Sequence, residues 1–129
     1  MAIFSDVFGI HEQALKLRQD RLSLISQNIA NADTPNYQAK DLNFRKIMSK
    51  ASNEAFVEME RTKSNHLESS SLKNADVMYR IPLNPAADGN TVELHYEQAE
   101  FGKETGRYMA TVQFIEGRIG SLRRALRGE

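Results

Sequence analysis

The last third of the chain carries the strongest constraint on its fold. Phe101, Tyr108, Ile115 and Leu122 recur every seven residues, and Thr105, Val112, Ile119 and Leu126 fill the other core position of the same heptad. Nearly four repeats with one polar member, Thr105, predict a helix over 91–127 with a coiled-coil seam. At about 1.5 Å per residue it would be roughly 55 Å long. Asn90 is the expected N-cap, with Glu93 three residues on as in a capping box. Glu93, Glu97, Glu100 and Glu104 in the first half, and Arg118, Arg123, Arg124 and Arg127 in the second, suit the helix dipole. Gly102, Gly106, Gly117 and Gly120 lie inside it, each costing up to about 1 kcal/mol against Ala. The expected reason for them is close approach of a neighbouring helix, which a missing side chain permits.

The other end of the chain is also helical in pattern. Over residues 3–33, Ile3, Val7, Ile10, Ala14, Leu17 and Leu24 form one stripe, interrupted by Arg21. Leu15, Leu22, Ile25, Ile29 and Ala32 form a second stripe beside it, so the apolar face is wide. Gly9 is expected to delay or kink the start, and Asp33-Thr34-Pro35 closes the helix, because the residue before a proline is pushed out of the α region.

Residues 38–90 are weakly apolar. Asp41–Ala51 reads as a short helix, Phe56–Thr62 and Val77–Ile81 as short strand candidates, and 63–76 as a polar loop. Pro85 to Asn90, with Asp88-Gly89, is turn chemistry. The predicted fold is therefore mainly α. Two long terminal helices pack as an antiparallel coiled-coil-like hairpin, with a small loop or β-hairpin insert between them. Its parts are 1–37 (helix and exit turn, joined with 91–129), the insert 38–90, and the heptad helix 91–129. At 129 residues the chain suits one domain. A two-helix hairpin covers one face of each helix and leaves apolar surface exposed, at about 25 cal/mol per Å². Both terminal helices are thus expected to pack against other subunits, and to be partly unfolded before they do.

Little in the chain points to catalysis. Lys plus Arg and Asp plus Glu each number 17, giving zero formal net charge, which argues against general nucleic-acid binding. Cysteine is absent, so no disulfide, thiolate metal site or cysteine nucleophile exists. His11-Glu12-Gln13-Ala14-Leu15 opens like a zinc-protease motif, but Leu15 stands where the second histidine belongs. His66 and His95 have no neighbouring ligand set. No cofactor and no metal are expected. Glu97, Glu100 and Glu104 share a helix face and read as a solvated one rather than as paired catalytic acids. The Arg118–Arg127 cluster reads as helix-end stabilisation, with an anionic partner as the alternative. No run approaches the apolar length of a membrane span, and residues 1–12 lack the basic region and apolar core of a cleaved secretory signal.

One segment is distinctive: Asn28-Ile29-Ala30-Asn31-Ala32-Asp33-Thr34-Pro35-Asn36-Tyr37. Its residues describe a shaped helix exit, with Asn36 able to take a positive φ. The segment resembles the N-terminal signature of bacterial flagellar axial proteins of the rod, hook and hook-associated kind. Asn28, Ile29, Ala30, Asn31, Thr34 and Tyr37 match it, and Asn36 stands where glycine is common. The length, together with Asp88-Gly89-Asn90, Arg107-Tyr108 and the run through Ile115, Gly117, Ile119 and Leu126 to Gly128, is closest to the proximal members of the flagellar basal-body rod protein family. The resemblance implies a structural, non-enzymatic subunit exported by the flagellar type III apparatus without a cleaved signal. Such a subunit polymerises into the periplasmic rod and transmits torque. It further implies, as partners, copies of itself, FlgC-type rod proteins, the adaptor FliE and the membrane ring with its export gate. No nucleic acid and no direct membrane span are implied. Two assembly surfaces follow: the signature residues, and Phe101, Tyr108, Val112, Ile115, Ile119, Leu122 and Leu126 of the heptad helix. The competing reading is a coiled-coil adaptor or regulator dimerising through 91–127.

Overall fold

The computed structural model describes residues 8–54 and 76–128. Helix α1 spans Gly9–Ala30, strand β1 Lys40–Leu42, helix α2 Phe44–Glu54, strand β2 Val77–Tyr79 and helix α3 Leu94–Arg127. Residues 3–7 of the expected first helix, the strand candidate 56–62 and almost all of the polar loop lie outside the described residues.

α1 and α3 run antiparallel. His11 lies opposite Phe114, Arg18 opposite Thr111 and Glu104, Arg21 opposite Glu104 and Glu100, and Asn28 opposite Glu97. α1 begins at Gly9, whose φ is +44°, and stops at Ala30. The Asn31 side-chain amide donates back to the Gln27 carbonyl at 2.7 Å, filling one of the acceptors a helix end leaves open. The chain then reverses through Asn36, which takes the left-handed conformation at φ 59°.

The insert departs from expectation in its pairing. β2 is a strand as the sequence suggested, but its partner is Lys40–Leu42, in antiparallel register Lys40↔Tyr79, Asp41↔Met78, Leu42↔Val77. The helix expected from Asp41 is displaced to Phe44. The reason is local: the Asn43 side chain accepts from the Lys46 amide at 3.1 Å and so caps the new start.

The start of α3 is also corrected. The helix begins at Leu94 behind an extended Glu93, and neither the Asn90 cap nor the capping box forms. Asn90 is buried and committed elsewhere, as described below. The far end closes on Gly128 at φ 74°, a left-handed helix stop.

The buried apolar side chains among the described residues are few: Leu17, Ile25, Ala39 and Leu42. The rest of the interior between the two long helices is polar.

Candidate functional site

The seam between α1 and α3 is an ion network. Arg18 donates to Glu104 at 2.8 Å and to the Thr111 hydroxyl at 3.2 Å. Arg21 reaches three carboxylates: Asp41 at 2.9 and 3.2 Å, Glu104 at 2.7 Å and Glu100 at 3.2 Å. Arg80, just past β2, joins Asp41 at 2.6 Å and Glu97, and its guanidinium lies 4.6 Å from the centre of the Tyr96 ring. Arg18 lies similarly over Phe44, at 4.2 Å. The solvated carboxylate face expected from the sequence is thus overturned. Glu97 and Glu104 have no exposure at all, and Glu100 very little, because arginines from α1 and β2 compensate them. Arg21, an interruption of the apolar stripe when read along the chain, is the centre of this network.

The charges tune one another. Hydrogen bonding to Asp41, against burial, drives Arg21 above its ordinary value. Burial pushes Asp41 up, but Arg21, Arg80 and the Leu42 amide outweigh it and hold the carboxyl below its usual range. Glu100 is likewise held low, with burial overcome by Lys103 and Arg21. At Glu97 burial prevails over Arg80 and Asn28, so its carboxyl titrates above the ordinary value. Burial, with Glu97 nearby, also raises Tyr37. The arrangement fixes shape, since the network carboxylates already accept from arginine.

The signature segment forms a knot at the closed end of the hairpin. Asn28 is fully buried, and its side chain pairs with both backbone groups of Lys40, accepting from the amide at 3.0 Å and donating to the carbonyl at 2.7 Å. It also accepts from the Tyr37 hydroxyl at 3.3 Å and donates to Glu97 at 3.3 Å. The Thr34 hydroxyl donates to the Asn31 side chain at 3.2 Å. Ile29 and Asn31 are half-buried, while Ala30 and Thr34 face solvent. Opposite them, the Asn90 amide nitrogen lies 2.8–2.9 Å from the carbonyls of Asn31, Ala32 and Thr34. The Asn36 amide donates to the Asp88 carbonyl and the Thr91 amide to the Tyr37 carbonyl, both at 3.0 Å. The Ala39 amide donates to the Thr91 hydroxyl at 2.7 Å. Gly89, at φ +76°, passes so close that a Cβ there would lie 2.5 Å from Asn36 Oδ1. The sequence showed Asp88-Gly89-Asn90 only as a turn. Its matching to a helix exit more than fifty positions earlier has no one-dimensional signal.

The heptad residues lie beside the seam rather than within it. Tyr108, Val112 and Ile115 are half-buried, Phe101, Ile119 and Leu122 are near 40% exposed, and Leu126 is 89% exposed. Met109 and Phe114 are also exposed. Among the described residues, a Cβ added at Gly102, Gly106 or Gly117 would meet nothing within 4 Å. His11 faces the Phe114 ring, His95 is exposed in the first turn of α3, and His66 lies outside the described residues. Among the described residues no cluster of ligand side chains is arranged to hold a metal ion, and no helix is long and apolar enough to cross a membrane.

The sequence matches a family of known proteins. The family model described as flagella basal body rod protein matches residues 8–38, which hold α1 and the exit turn. The flagellar basal body rod protein FlgB of Cereibacter sphaeroides is 39% identical over the whole of both chains. FlgB of Aeromonas hydrophila is 38% identical over all of this chain and 99% of its own. FlgB of Escherichia coli K12 is 34% identical over 89% of this chain and 88% of its own. The chain belongs to the FlgB family of flagellar basal body rod proteins.

Proposed function

We propose that this flagellar basal-body rod subunit builds the proximal rod by packing the outer, apolar face of α3 against helices of neighbouring subunits. The observation that carries the reading is the separation of two faces on one helix. The charged line of α3 is occupied by α1, while Phe101, Ile119, Leu122 and Leu126 remain open to solvent. A row of large apolar side chains left exposed on a helix whose charged line is paired with α1 from Glu97 to Phe114 is surface suited to a further partner. Gly102, Gly106 and Gly117 of the same helix support it, because no neighbour among the described residues lies within 4 Å of a Cβ there.

In this reading, 1–37 and 91–129 form the tube-forming unit and 38–90 is the insert between them. The signature residues act by shaping the exit turn, since Asn28 is used up inside the chain and Thr34 is presented outward. The subunit performs no catalysis. Its neighbours are copies of itself, FlgC-type rod proteins, and FliE with the membrane ring and export gate. It reaches the periplasm through the flagellar export apparatus without a cleaved signal and transmits torque once assembled. The competing adaptor, dimerising through 91–127, gives way to the family membership.

Leu126→Asp tests the proposal. At 89% exposure the side chain contributes little to the monomer, so circular dichroism and solubility should match the parent. A strain carrying the substitution should lack rods in electron micrographs of basal bodies and should not swim. Normal swimming would refute the role given to this face.

A further inference from the structure

The polarity of the hairpin interior is costly in desolvation, since buried ion pairs seldom improve on apolar packing of the same volume. A chain with so few buried apolar side chains would gain stability from leucines at these positions, yet arginines and glutamates occupy them. Their arrangement has a property leucines lack. Toward the closed half of the seam α3 presents three carboxylates, Glu97, Glu100 and Glu104; α1 meets Glu100 and Glu104 with Arg18 and Arg21 and Glu97 with the Asn28 amide, while Arg80 supplies the cation for Glu97.

From this we infer that the charged seam determines which helix α3 accepts through this face: α1, in one antiparallel register, and not a second α3. Pairing α3 with α3 through this line sets carboxylate against carboxylate, and pairing α1 with α1 sets guanidinium against guanidinium. The mixed pair sets Arg18 and Arg21 against Glu100 and Glu104, and Arg80 completes Glu97. The register is set as well, because Arg18 and Arg21 together span Glu100, Glu104 and Thr111, and sliding α3 by one turn leaves either Arg18 or Glu104 without its partner. The charged line also runs alongside the apolar stripe of Phe101 and Tyr108. With leucine at 100 and 104 the two would merge into one broad apolar face with no preferred partner. Single buried polar residues fix partner and register in helix pairs of this kind. The seam thus reserves the apolar stripe for contacts between finished hairpins. The inference concerns the isolated chain, so its failure would leave the rod assignment untouched.

The chain has no cysteine, so pairing can be read by introduced ones. In the full-length chain, His11→Cys with Phe114→Cys places thiols at ring positions 6.3 Å apart across the open half of the hairpin, away from the charges. A short bis-maleimide should then give mainly the intrachain product in the parent background. In the compensated apolar background, Arg18→Leu, Arg21→Leu, Glu100→Leu and Glu104→Leu, Asp41 keeps Arg80 as its partner. There the ratio of intrachain to interchain product should fall by about tenfold or more, as expected when about 1.4 kcal/mol of preference is lost. An unchanged ratio in a variant that remains helical would overturn the inference. Glu104→Gln keeps the side-chain bulk and guards against misfolding of the fourfold variant. It should lower the ratio by a few fold, and no change there would overturn the inference equally.

Discussion

Replacing Arg21 with methionine asks the seam for its energetic value. The guanidinium holds Asp41, Glu100 and Glu104 together, at 2.7–3.2 Å. Removing one partner of a buried pair typically costs 3–5 kcal/mol, roughly, because an uncompensated charge remains. Here each carboxylate keeps a second cation: Arg80 for Asp41, Lys103 for Glu100, and Arg18 for Glu104. Methionine also retains most of the packing of the aliphatic stem. The expected loss is therefore at the lower end, about 3 kcal/mol in urea unfolding at neutral pH. Arg21→Lys keeps the charge but not the fork that spans three acceptors, and should lose about 1–2 kcal/mol. The pH dependence gives a second check. Asp41 and Glu100 are held below their ordinary values in the folded chain, so the stability they contribute is present above the unfolded carboxylate range and is lost as pH falls through their folded values. Glu97 has the opposite sign. It is raised, so its ionisation weakens the fold as pH rises through its folded value, and protonation at acid pH relieves that penalty. The penalty of Arg21→Met should therefore shrink as pH falls through the folded values of Asp41 and Glu100, below the ordinary carboxylate range. A loss under about 1 kcal/mol at neutral pH, the size of an exposed ion pair, would refute the reasoning.

Three further substitutions probe the closed end and the outer face. Asn90→Ala removes the donor facing three carbonyls and should lower the unfolding free energy by about 1–3 kcal/mol, measured by denaturant titration. Gly89→Ala meets both a positive φ and the Asn36 side chain. It should cost about 1–2 kcal/mol for the backbone alone plus the clash, and adding Asn36→Gly should recover only the clash part in a double-mutant cycle. Gly117→Leu meets no neighbour among the described residues, so thermal stability of the monomer should rise by about 0.8 kcal/mol from helix propensity, while rod assembly should fail in a motility assay.

The helices and the exit turn were legible in the sequence because their signals are local. α3 ends where the pattern of 91–127 ends, and Asn36 takes the positive φ its residue type permits. What was not legible is which face of α3 turns inward. Hydrophobic periodicity assumes that apolar residues go inside, whereas in α3 the apolar stripe lies beside the seam and stays half-buried or exposed. A trace of the truth was present: Glu97, Glu104 and Thr111 also recur every seven residues, and Arg18 and Arg21 sit one turn apart on α1, with Arg21 breaking its apolar stripe. Matching one line to the other requires the antiparallel register, which only the fold supplies. The same holds for β1, whose partner lies beyond the insert, and for Asn90, which resembles a helix cap until the carbonyls of α1 are brought to it.

The scarcity of apolar side chains in the seam bears on what happens when the hairpin opens. Heat-capacity change and denaturant sensitivity both follow the apolar surface newly exposed. Parting α1 from α3 uncovers guanidinium and carboxylate groups, which water solvates well, with Leu17 and Ile25 as the buried apolar members of α1. The open form should thus differ from the closed one by a smaller heat-capacity increment and a shallower urea dependence than an all-apolar seam of the same size would give. Much of the inside of this molecule can be wetted and closed again at the expense of ion pairs rather than of oil.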